Sequence, residues 1–459
     1  MSTHQEIFEK QQAYFKTDIT KTYEWRMEQL HRLEKLLKEN QEELYTAVGK
    51  DFKTAYAEQV FEVGAPLATI EFTKSQLKSW MEPTEAPLPK FLAKTGHKGM
   101  IYREPYGVTL IIGPFNGPLI LLLDPAITAI SAGNPVILKV SNATPETSKV
   151  LLRLIPEYFD PQAVAVVEGN RDTVTELLKL PFDFIFFTGS AAVGKVIMRA
   201  AAEHLTPVLL ELGGQNPAIV DETANIADAA KKIVWGATAW GGQWCTSPGY
   251  AYVHESVAAQ FVEESKKALL DMFGEDPKSN PDLSRIISSK EVERLASLIA
   301  SSTVVAGGEY DAAERYLAPT ILYPVTWKDK VMEDEIFGPV LPIITYSDLN
   351  EAISQIKNTP KPLAAYLFSQ DQQTIDRFLN SLSFGGGAVN QTNIHLYVES
   401  MPFGGVGNSG MGAYYGRYGY EALTHAKSIL HSPADQEIEH LFPPFTAEKI
   451  QALNQWFDY

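Results

Sequence analysis

The sequence predicts an α/β protein with two lobes, each built on a parallel β-sheet, and a small β element that projects from them. From Val108 onward, short apolar runs typical of buried strands alternate with segments that have helical periodicity. Strands that alternate with helices form parallel sheets covered on both faces. The chain of 459 residues is also long enough for about two to four domains.

The predicted elements follow one another in a clear order. Before residue 83 the chain is predicted to be helical, because Met27, Leu30, Leu33 and Leu37 recur at helical spacing. Three prolines interrupt the chain at residues 83–89, and residues 98–103 are predicted to form a strand of a hairpin that leaves the main body. Buried strands are then predicted at 108–112, 135–139, 163–167, 184–187 and 208–210, helices at 121–132 and 146–156, and a second alternating stretch at 216–390.

Composition excludes several classes of protein. The net charge of -17 argues against a nucleic-acid partner, since phosphate backbones attract basic surfaces. The N-terminal residues lack the apolar core of a signal peptide, and prolines, Gly113, Asn116 and Asp124 interrupt the most apolar stretch, so it is not expected to span a membrane. Residues 447–459 are polar, so no membrane anchor is expected. Cys245 is the only cysteine, which excludes an intrachain disulfide or a multi-cysteine zinc site and fits a reducing cytoplasm. No metal is expected.

Two loops follow predicted strands and could bind a ligand. The first spans residues 113–118, where Asn116 could offer its amide to an oxyanion, although a plain proline–glycine turn is the simpler interpretation. The second includes Gly189 and Ser190, in a turn after a predicted strand, and Gly194, in the helix predicted to begin near residue 192. The N-terminus of such a helix attracts phosphate. This second segment nearly matches an ATP-binding loop, but Val196 replaces the required Ser or Thr, which favours a dinucleotide.

A third glycine-rich segment, residues 405–410, formally matches the dinucleotide pattern GxGxxG. No strand is predicted before it, so we interpret the match as accidental.

Two further segments could supply a base and a nucleophile. Glu211 ends an apolar strand before two glycines, where it could be a structural cap or a general base at the edge of a cleft. Cys245 follows Gly241 and Gly242 on a predicted turn or helix start, and a helix N-terminus would lower the pKa of its thiol. A lone cysteine is more often an inert buried residue. A cysteine hydrolase would need a histidine partner, which the spacing does not identify.

Together these segments resemble the aldehyde dehydrogenase superfamily, and the similarity extends in order over nearly the whole chain. The resembling motifs are the loop at 113–118, Lys139-Val-Ser-Asn142, Phe187-Thr-Gly-Ser190, Glu211-Leu-Gly-Gly214, Gly242-Gln-Trp-Cys245 and Glu335-Ile-Phe-Gly-Pro339. The short N-terminus and residues 402–414 and 442–445 resemble the class 3 branch.

The resemblance implies a Rossmann-like cofactor-binding domain, a catalytic domain and a protruding β element. It places the cofactor domain at 1–83, 105–210 and 403–430, the catalytic domain at 211–389, and bridging or oligomerisation segments at 84–104, 390–402 and 431–459. It also implies a homodimer.

The resemblance also implies a role for each matched residue. Cys245 would be the nucleophile, Asn116 and the backbone N–H of Cys245 the oxyanion hole, and Glu211 the base that activates water. NAD or NADP would bind at Lys139, Ser141, Asn142, Gly189, Ser190, Gly194, Glu335 and Phe337. The reaction implied is the NAD(P)-dependent oxidation of a medium aliphatic or aromatic aldehyde to its acid, through a thiohemiacetal and a thioester.

Several residues depart from the family pattern. Asn142 stands where Glu is usual, Val140 where Pro is usual and Gln215 where Lys is common, which leaves the choice between NAD and NADP open. Gly117 replaces a bulky aromatic residue and should open space in the substrate pocket, whereas Trp244 should fill it.

Three alternatives remain at this point. One is a coenzyme A-acylating relative, which Glu211 disfavours because a water-activating base would waste the thioester. The others are a cofactor-free cysteine hydrolase and an inactive binding protein that retains the fold.

Overall fold

The computed structural model describes residues 3–93, 95–434 and 438–457. The α-helices, in chain order, are α1 Thr3–Phe15, α2 Tyr23–Glu39, α3 Gln41–Asp51, α4 Tyr56–Met81, α5 Lys90–Ala93, α6 Ile120–Ala132, α7 Pro145–Tyr158, α8 Arg171–Leu177, α9 Ala191–Ala202, α10 Ile226–Thr238, α11 Glu255–Phe273, α12 Ser289–Ile299, α13 Leu349–Lys357, α14 Gln372–Ser381, α15 Gly416–Ala422 and α16 Ala447–Asn454.

The strands, in chain order, are β1 Thr84–Ala86, β2 Lys98–Pro105, β3 Thr109–Ile112, β4 Val136–Lys139, β5 Val164–Val167, β6 Phe184–Thr188, β7 Val208–Glu211, β8 Asn216–Val220, β9 Pro248–His254, β10 Val304–Ala306, β11 Tyr310–Asp311, β12 Tyr316–Leu317, β13 Thr320–Leu322, β14 Val340–Tyr346, β15 Ala364–Phe368, β16 Gly386–Val389, β17 Gly410–Met411 and β18 Thr424–His431.

The first sheet has the order β17-β7-β6-β3-β4-β5, and its strands are parallel except for β17. From β3 the chain adds β4 and β5 on one side of the sheet and then adds β6 and β7 on the other side, so the strand order reverses between β3 and β6. Ligands of open α/β sheets bind at the carboxyl ends of the strands at such a reversal. The loops after β3 and β6 are the two that carry Asn116 and Ser190.

The second sheet has the order β10-β13-β14-β9-β8-β15-β16 and is parallel except for β10. Separate clusters of buried apolar side chains cover the faces of each sheet. This arrangement confirms the predicted α/β fold with two parallel-sheet lobes, in which strands buried on both faces appear as uninterrupted apolar runs.

A small antiparallel sheet of β1, β2 and β18 corresponds to the predicted projecting element. Nearly all of β18 is exposed, and it pairs with β2. The resemblance places residues 424–430 of this strand in the cofactor domain. The glycine-rich segment 405–410 forms turns that lead into β17, with no strand before it and no helix directly after it in the described chain. None of the described helices is both long enough and apolar enough to span a membrane.

Candidate active site

Cys245 lies in a turn between a 3-10 helix, Ala239–Gly242, and strand β9. Asn216, the first residue of β8, donates from Nδ2 to the carbonyl oxygens of Cys245 and Ser247, both at 2.8 Å. The hydroxyl of Tyr366 on β15 donates to the carbonyl of Thr246 at 2.7 Å. Two neighbouring strands of the second sheet therefore fix the backbone of the turn, and the alternative of a helix start at Cys245 was wrong.

The expected lowering of the Cys245 pKa was also wrong for this form of the protein. Burial raises the pKa of the thiol, and the nearby carboxyl groups of Glu335 and Glu211 raise it further. No helix dipole opposes these effects, because the chain enters a strand after the turn. Burial therefore favours the thiol over the thiolate at Cys245.

Glu211 and Asn116 lie with Cys245 on the wall of a cavity of about 370 Å³. Glu211 is the last residue of β7 and is 3% exposed, and neither of its carboxyl oxygens has a hydrogen-bond partner among the described residues. Burial raises the pKa of Glu211 well above its usual value. Asn116 is 3% exposed, and its Nδ2 also lacks a partner in the described chain. Polar atoms left unpaired in a cavity are suited to a ligand, because buried polar groups are normally hydrogen-bonded.

The same cavity extends to the turn after β6. Its wall there includes Ser141, Gly189, Ser190, Glu335 and Phe337, all of which the sequence suggests for cofactor binding. The turn leads directly into α9, whose N-terminus favours a phosphate through free N–H groups and the helix dipole.

Gly213 and the Glu335 carboxylate lie in close contact. A Cβ on Gly213 would overlap this carboxylate, so a larger residue at 213 would require the Glu335 side chain to shift. Burial raises the pKa of Glu335 to about 8. A turn at a helix N-terminus, an acidic residue and an aromatic ring along one cleft fit a nicotinamide dinucleotide.

Four of the predicted site residues lie outside the walls of the cavities at Cys245. Lys139 is buried and donates from Nζ to the carbonyl of Val140 at 2.7 Å, and Asn142 is exposed. A Cβ on Gly194 would contact Leu212, and one on Gly117 would contact Leu121. The space that Gly117 was expected to open is therefore occupied by the Leu121 side chain.

A second cavity, of about 380 Å³, meets the first at Cys245. The two cavities share Leu121, Cys245, Phe403 and Tyr414. Apolar and aromatic side chains, including that of Trp244, form most of the wall. Trp244 is buried and stacks on Trp240 at a ring-centroid distance of 4.5 Å and an interplanar angle of 12°.

The second cavity also contains an acidic group that sequence reasoning does not select. Asp124 on α6 is 1% exposed, and burial raises its pKa to about 8. The Tyr415 hydroxyl lies 3.4 Å from Asp124 Oδ2, and Oδ1 has no partner in the described chain. A single Asp within the apolar run 119–127 was the available signal, but the run alone does not show which way the side chain faces.

Comparison with known proteins extends over the whole chain. The model of the aldehyde dehydrogenase family matches residues 3–429. A 4,4'-diaponeurosporen-aldehyde dehydrogenase of Staphylococcus aureus is 44% identical over 463 residues, which is 100% of both chains. A protein of Canis lupus familiaris named aldehyde dehydrogenase, dimeric NADP-preferring, is 40% identical and covers 98% of this chain and 99% of its own. The solved substrate-bound structure of Staphylococcus aureus AldH is 42% identical with a TM-score of 0.96, over 100% of both chains.

Proposed function

Because the chain belongs to the aldehyde dehydrogenase family, we propose that it oxidises medium-length aliphatic or aromatic aldehydes to carboxylic acids, with Cys245 as the nucleophile. It is an NAD(P)-dependent enzyme of this family. The observation that carries the proposal is the meeting of two cavities at Cys245, one that reaches the N-terminus of α9 and one with an apolar wall.

The proposed reaction begins when the Cys245 thiol loses its proton to water and the thiolate attacks the aldehyde carbon, which gives a thiohemiacetal oxyanion. The unpaired Nδ2 of Asn116 and the backbone N–H of Cys245 donate hydrogen bonds to this oxygen. A preorganised donor of this kind typically stabilises the transition state by about 3 kcal/mol. Asn116 suits the role because the protein offers its amide no other partner.

The nicotinamide cofactor, when bound, supplies the acceptor for the hydride that leaves the substrate carbon. A thioester then remains on Cys245. Glu211 removes a proton from water, the water oxygen attacks the thioester carbon, and the acid is released with the regenerated thiol. The raised pKa of Glu211 brings this carboxyl group closer to the range in which a general base works best near neutral pH.

We propose that Ser190 and Gly189 bind a phosphate, that Lys139, Ser141 and Asn142 face the adenosine ribose, and that Glu335 and Phe337 hold the nicotinamide end. Gly194 allows α9 to approach Leu212 closely and so supports the phosphate turn.

Asn142 carries no charge that would repel a 2′-phosphate, and Lys139 is near it in sequence, so NADP should be accepted at least comparably to NAD. The canine relative is named as NADP-preferring.

The second cavity supports the proposed substrate class. Its volume is at the lower end of the range for small-molecule sites, and Phe61, Ile120, Trp244 and Tyr397 give it an apolar wall. Such a wall favours an aliphatic chain or an aromatic ring attached to the aldehyde carbon.

We further propose a cytoplasmic homodimer that uses the domain division predicted from the sequence. The exposed β18 and the exposed apolar residues Ile429, Leu430 and Phe442 would lie at or near the dimer interface. The canine relative is named as dimeric. A single cysteine is compatible with a reducing compartment.

The alternatives from the sequence are less well supported. Among the described residues no histidine lines either cavity, so a cysteine hydrolase would lack its imidazole partner. A coenzyme A-acylating enzyme would gain nothing from the carboxyl of Glu211 beside the thioester.

A panel of aliphatic and aromatic aldehydes, followed at 340 nm with NAD and with NADP, tests the proposal. We expect reduced cofactor and free acid in equal amounts. Product that forms only when coenzyme A is added, or ester hydrolysis with no aldehyde oxidation, would show that the proposal is wrong.

A further inference from the structure

A fully buried ion pair contacts both the loop that carries Asn116 and the loop that carries Cys245. Lys53 and Glu62 are both 0% exposed, and Lys53 Nζ pairs with Glu62 Oε1. Two charges removed from water in this way are stable only when further contacts satisfy both groups. The remaining contacts of each partner therefore show which parts of the fold the pair connects.

Glu62 contacts the loop that carries Asn116. Its Oε2 accepts hydrogen bonds from the backbone N–H groups of Leu119 and Ile120, at 3.0 and 3.1 Å. These groups begin α6, whose free N–H groups need acceptors at its N-terminus. Leu119, the residue before α6, is three residues from Asn116, so Glu62 fixes the end of the loop from which the Asn116 amide projects.

Lys53 contacts the loop that carries Cys245. Its Nζ lies 3.2 Å from the centroid of the Trp240 ring, a cation–π contact. Trp240 stacks in turn on Trp244, the residue that precedes Cys245. Two stacked indole rings therefore link Lys53 to the turn that carries Cys245.

The conformation of Trp240 shows that this loop is held in place. Its φ of 58° is in the left-handed region, which is unfavourable for a bulky side chain. Glu58, one helical turn before Glu62 on α4, accepts from the Trp240 N–H and from the Ser284 hydroxyl, both at 2.6 Å. Lys53 on the ring of Trp240 and Glu58 at its backbone N–H thus hold this strained residue in place.

We infer that Lys53 and Glu62 are positioning residues, which hold the Asn116 amide and the Cys245 sulfur at the separation that oxyanion stabilisation needs. The inference rests on the proposed function, because it assumes that Asn116 and Cys245 act on one substrate. Neither Lys53 nor Glu62 contacts the reacting atoms, since neither lines a cavity at Cys245.

The test uses Glu62→Gln and Lys53→Met, which keep side-chain size and remove one charge each. The rate constant of the first burst of reduced cofactor, at saturating aldehyde, should fall about 10- to 100-fold in each, because complete loss of an oxyanion donor costs about 10²–10³-fold. The double variant should be no slower than the slower single variant, since residues that act as a unit are not additive. Cofactor binding and the rate of Cys245 alkylation by iodoacetamide should match the wild type.

Asp348→Ala is the control for the loss of a helix-capping carboxylate, because alanine cannot accept the backbone N–H groups at a helix start. Asp348 accepts from two backbone N–H groups at the start of α13, those of Asn350 and Glu351, at 2.7 and 3.1 Å. It lines neither cavity at Cys245. We expect this variant to lower the melting temperature and leave the burst rate unchanged.

A Glu62→Gln or Lys53→Met variant with the same pattern as this control would overturn the inference. If Lys53→Met does not fold, Trp240→Phe replaces it, since a smaller ring weakens both the cation–π contact and the stack. A wild-type burst rate in that variant would overturn the inference equally.

Asn116→Ala distinguishes failure of the inference from failure of the proposed function. If it slows the burst while the charge variants do not, only the positioning role is wrong. If Asn116→Ala leaves the burst unchanged, the oxyanion assignment is wrong and the inference is overturned with it.

Discussion

Replacing Glu211 with glutamine changes the chemistry of one buried carboxyl group and very little else in the structure. The side chain keeps its size, and neither carboxyl oxygen has a hydrogen-bond partner to lose within the described chain. General bases contribute about 10²–10⁴-fold to rates. We therefore expect steady-state turnover to fall by about 10²–10⁴-fold in Glu211→Gln.

The burst that precedes steady state should survive in the same variant. Water activation follows hydride transfer in the proposed reaction, so about one reduced cofactor per active site should form before turnover slows. The burst should be no slower than in the wild type, because the nearby Glu211 carboxyl raises the pKa of Cys245. Stopped-flow absorbance at 340 nm measures both phases. Loss of the burst together with steady-state turnover would refute the reasoning and place Glu211 before hydride transfer, as the base for Cys245.

The stability of this variant provides a second test. Burial raises the pKa of Glu211, so between the usual and the raised pKa the folded protein holds a proton that the unfolded chain has lost. The free energy of unfolding therefore decreases as pH rises, by at most about 1.4 kcal/mol per pH unit in that window. Glu211→Gln removes this pH dependence. The free energy of unfolding of the variant, measured in urea, should therefore rise relative to that of the wild type between pH 5 and pH 8. An equal difference in unfolding free energy at both pH values would contradict the raised pKa of Glu211.

Three further predictions concern cofactor, stability and substrate. Asn142→Glu should weaken NADP use selectively by roughly 1–2 kcal/mol in kcat/KM, through repulsion of the 2′-phosphate; an unchanged NADP-to-NAD ratio would show that residue 142 does not set the choice. Asp124→Asn removes an acid whose pKa is raised from 3.8 to about 8. The unfolded chain loses this proton at lower pH than the folded protein. The free energy of unfolding of the variant in urea should therefore rise relative to that of the wild type between pH 4 and pH 8, by up to about 5 kcal/mol. A difference in unfolding free energy that does not change with pH would contradict the raised pKa of Asp124. Trp244→Ala should destabilise the fold by about 3–5 kcal/mol and shift kcat/KM towards bulkier aldehydes, and an unaltered substrate profile would remove Trp244 from the pocket.

The sequence was most informative where chemistry lies at strand ends. Apolar runs predicted strands β3, β6 and β7, and the carboxyl ends of parallel strands meet at one edge of a sheet. This geometry explains why Asn116, Ser190 and Glu211, each placed after a strand by the sequence, line one cavity. Cys245 joins them from the second sheet, and its motif rather than the pattern of elements indicated it.

The sequence was least informative about contacts between distant segments. Helical spacing on α4 gives no indication that Glu62 caps α6, because Leu119 lies 57 residues further along the chain. It also does not reveal the ion pair, because Lys53 lies outside the helix. A missing side chain at Gly117 suggested free space, whereas a rotamer of Leu121 fills it. The thiol pKa depended on burial and on Glu335, neither of which local sequence reports.

The most direct test of the central claim is to locate the acyl group during turnover. Glu211→Gln, mixed with aldehyde and NAD(P) and quenched in acid after the burst, should carry the substrate acyl group on the peptide that contains Cys245. The amount should equal the reduced cofactor formed, and Cys245→Ser should form neither. Reduced cofactor without this adduct, an acyl group on another residue, or activity in Cys245→Ser above a few per cent of wild type would contradict the assignment of Cys245 as the nucleophile.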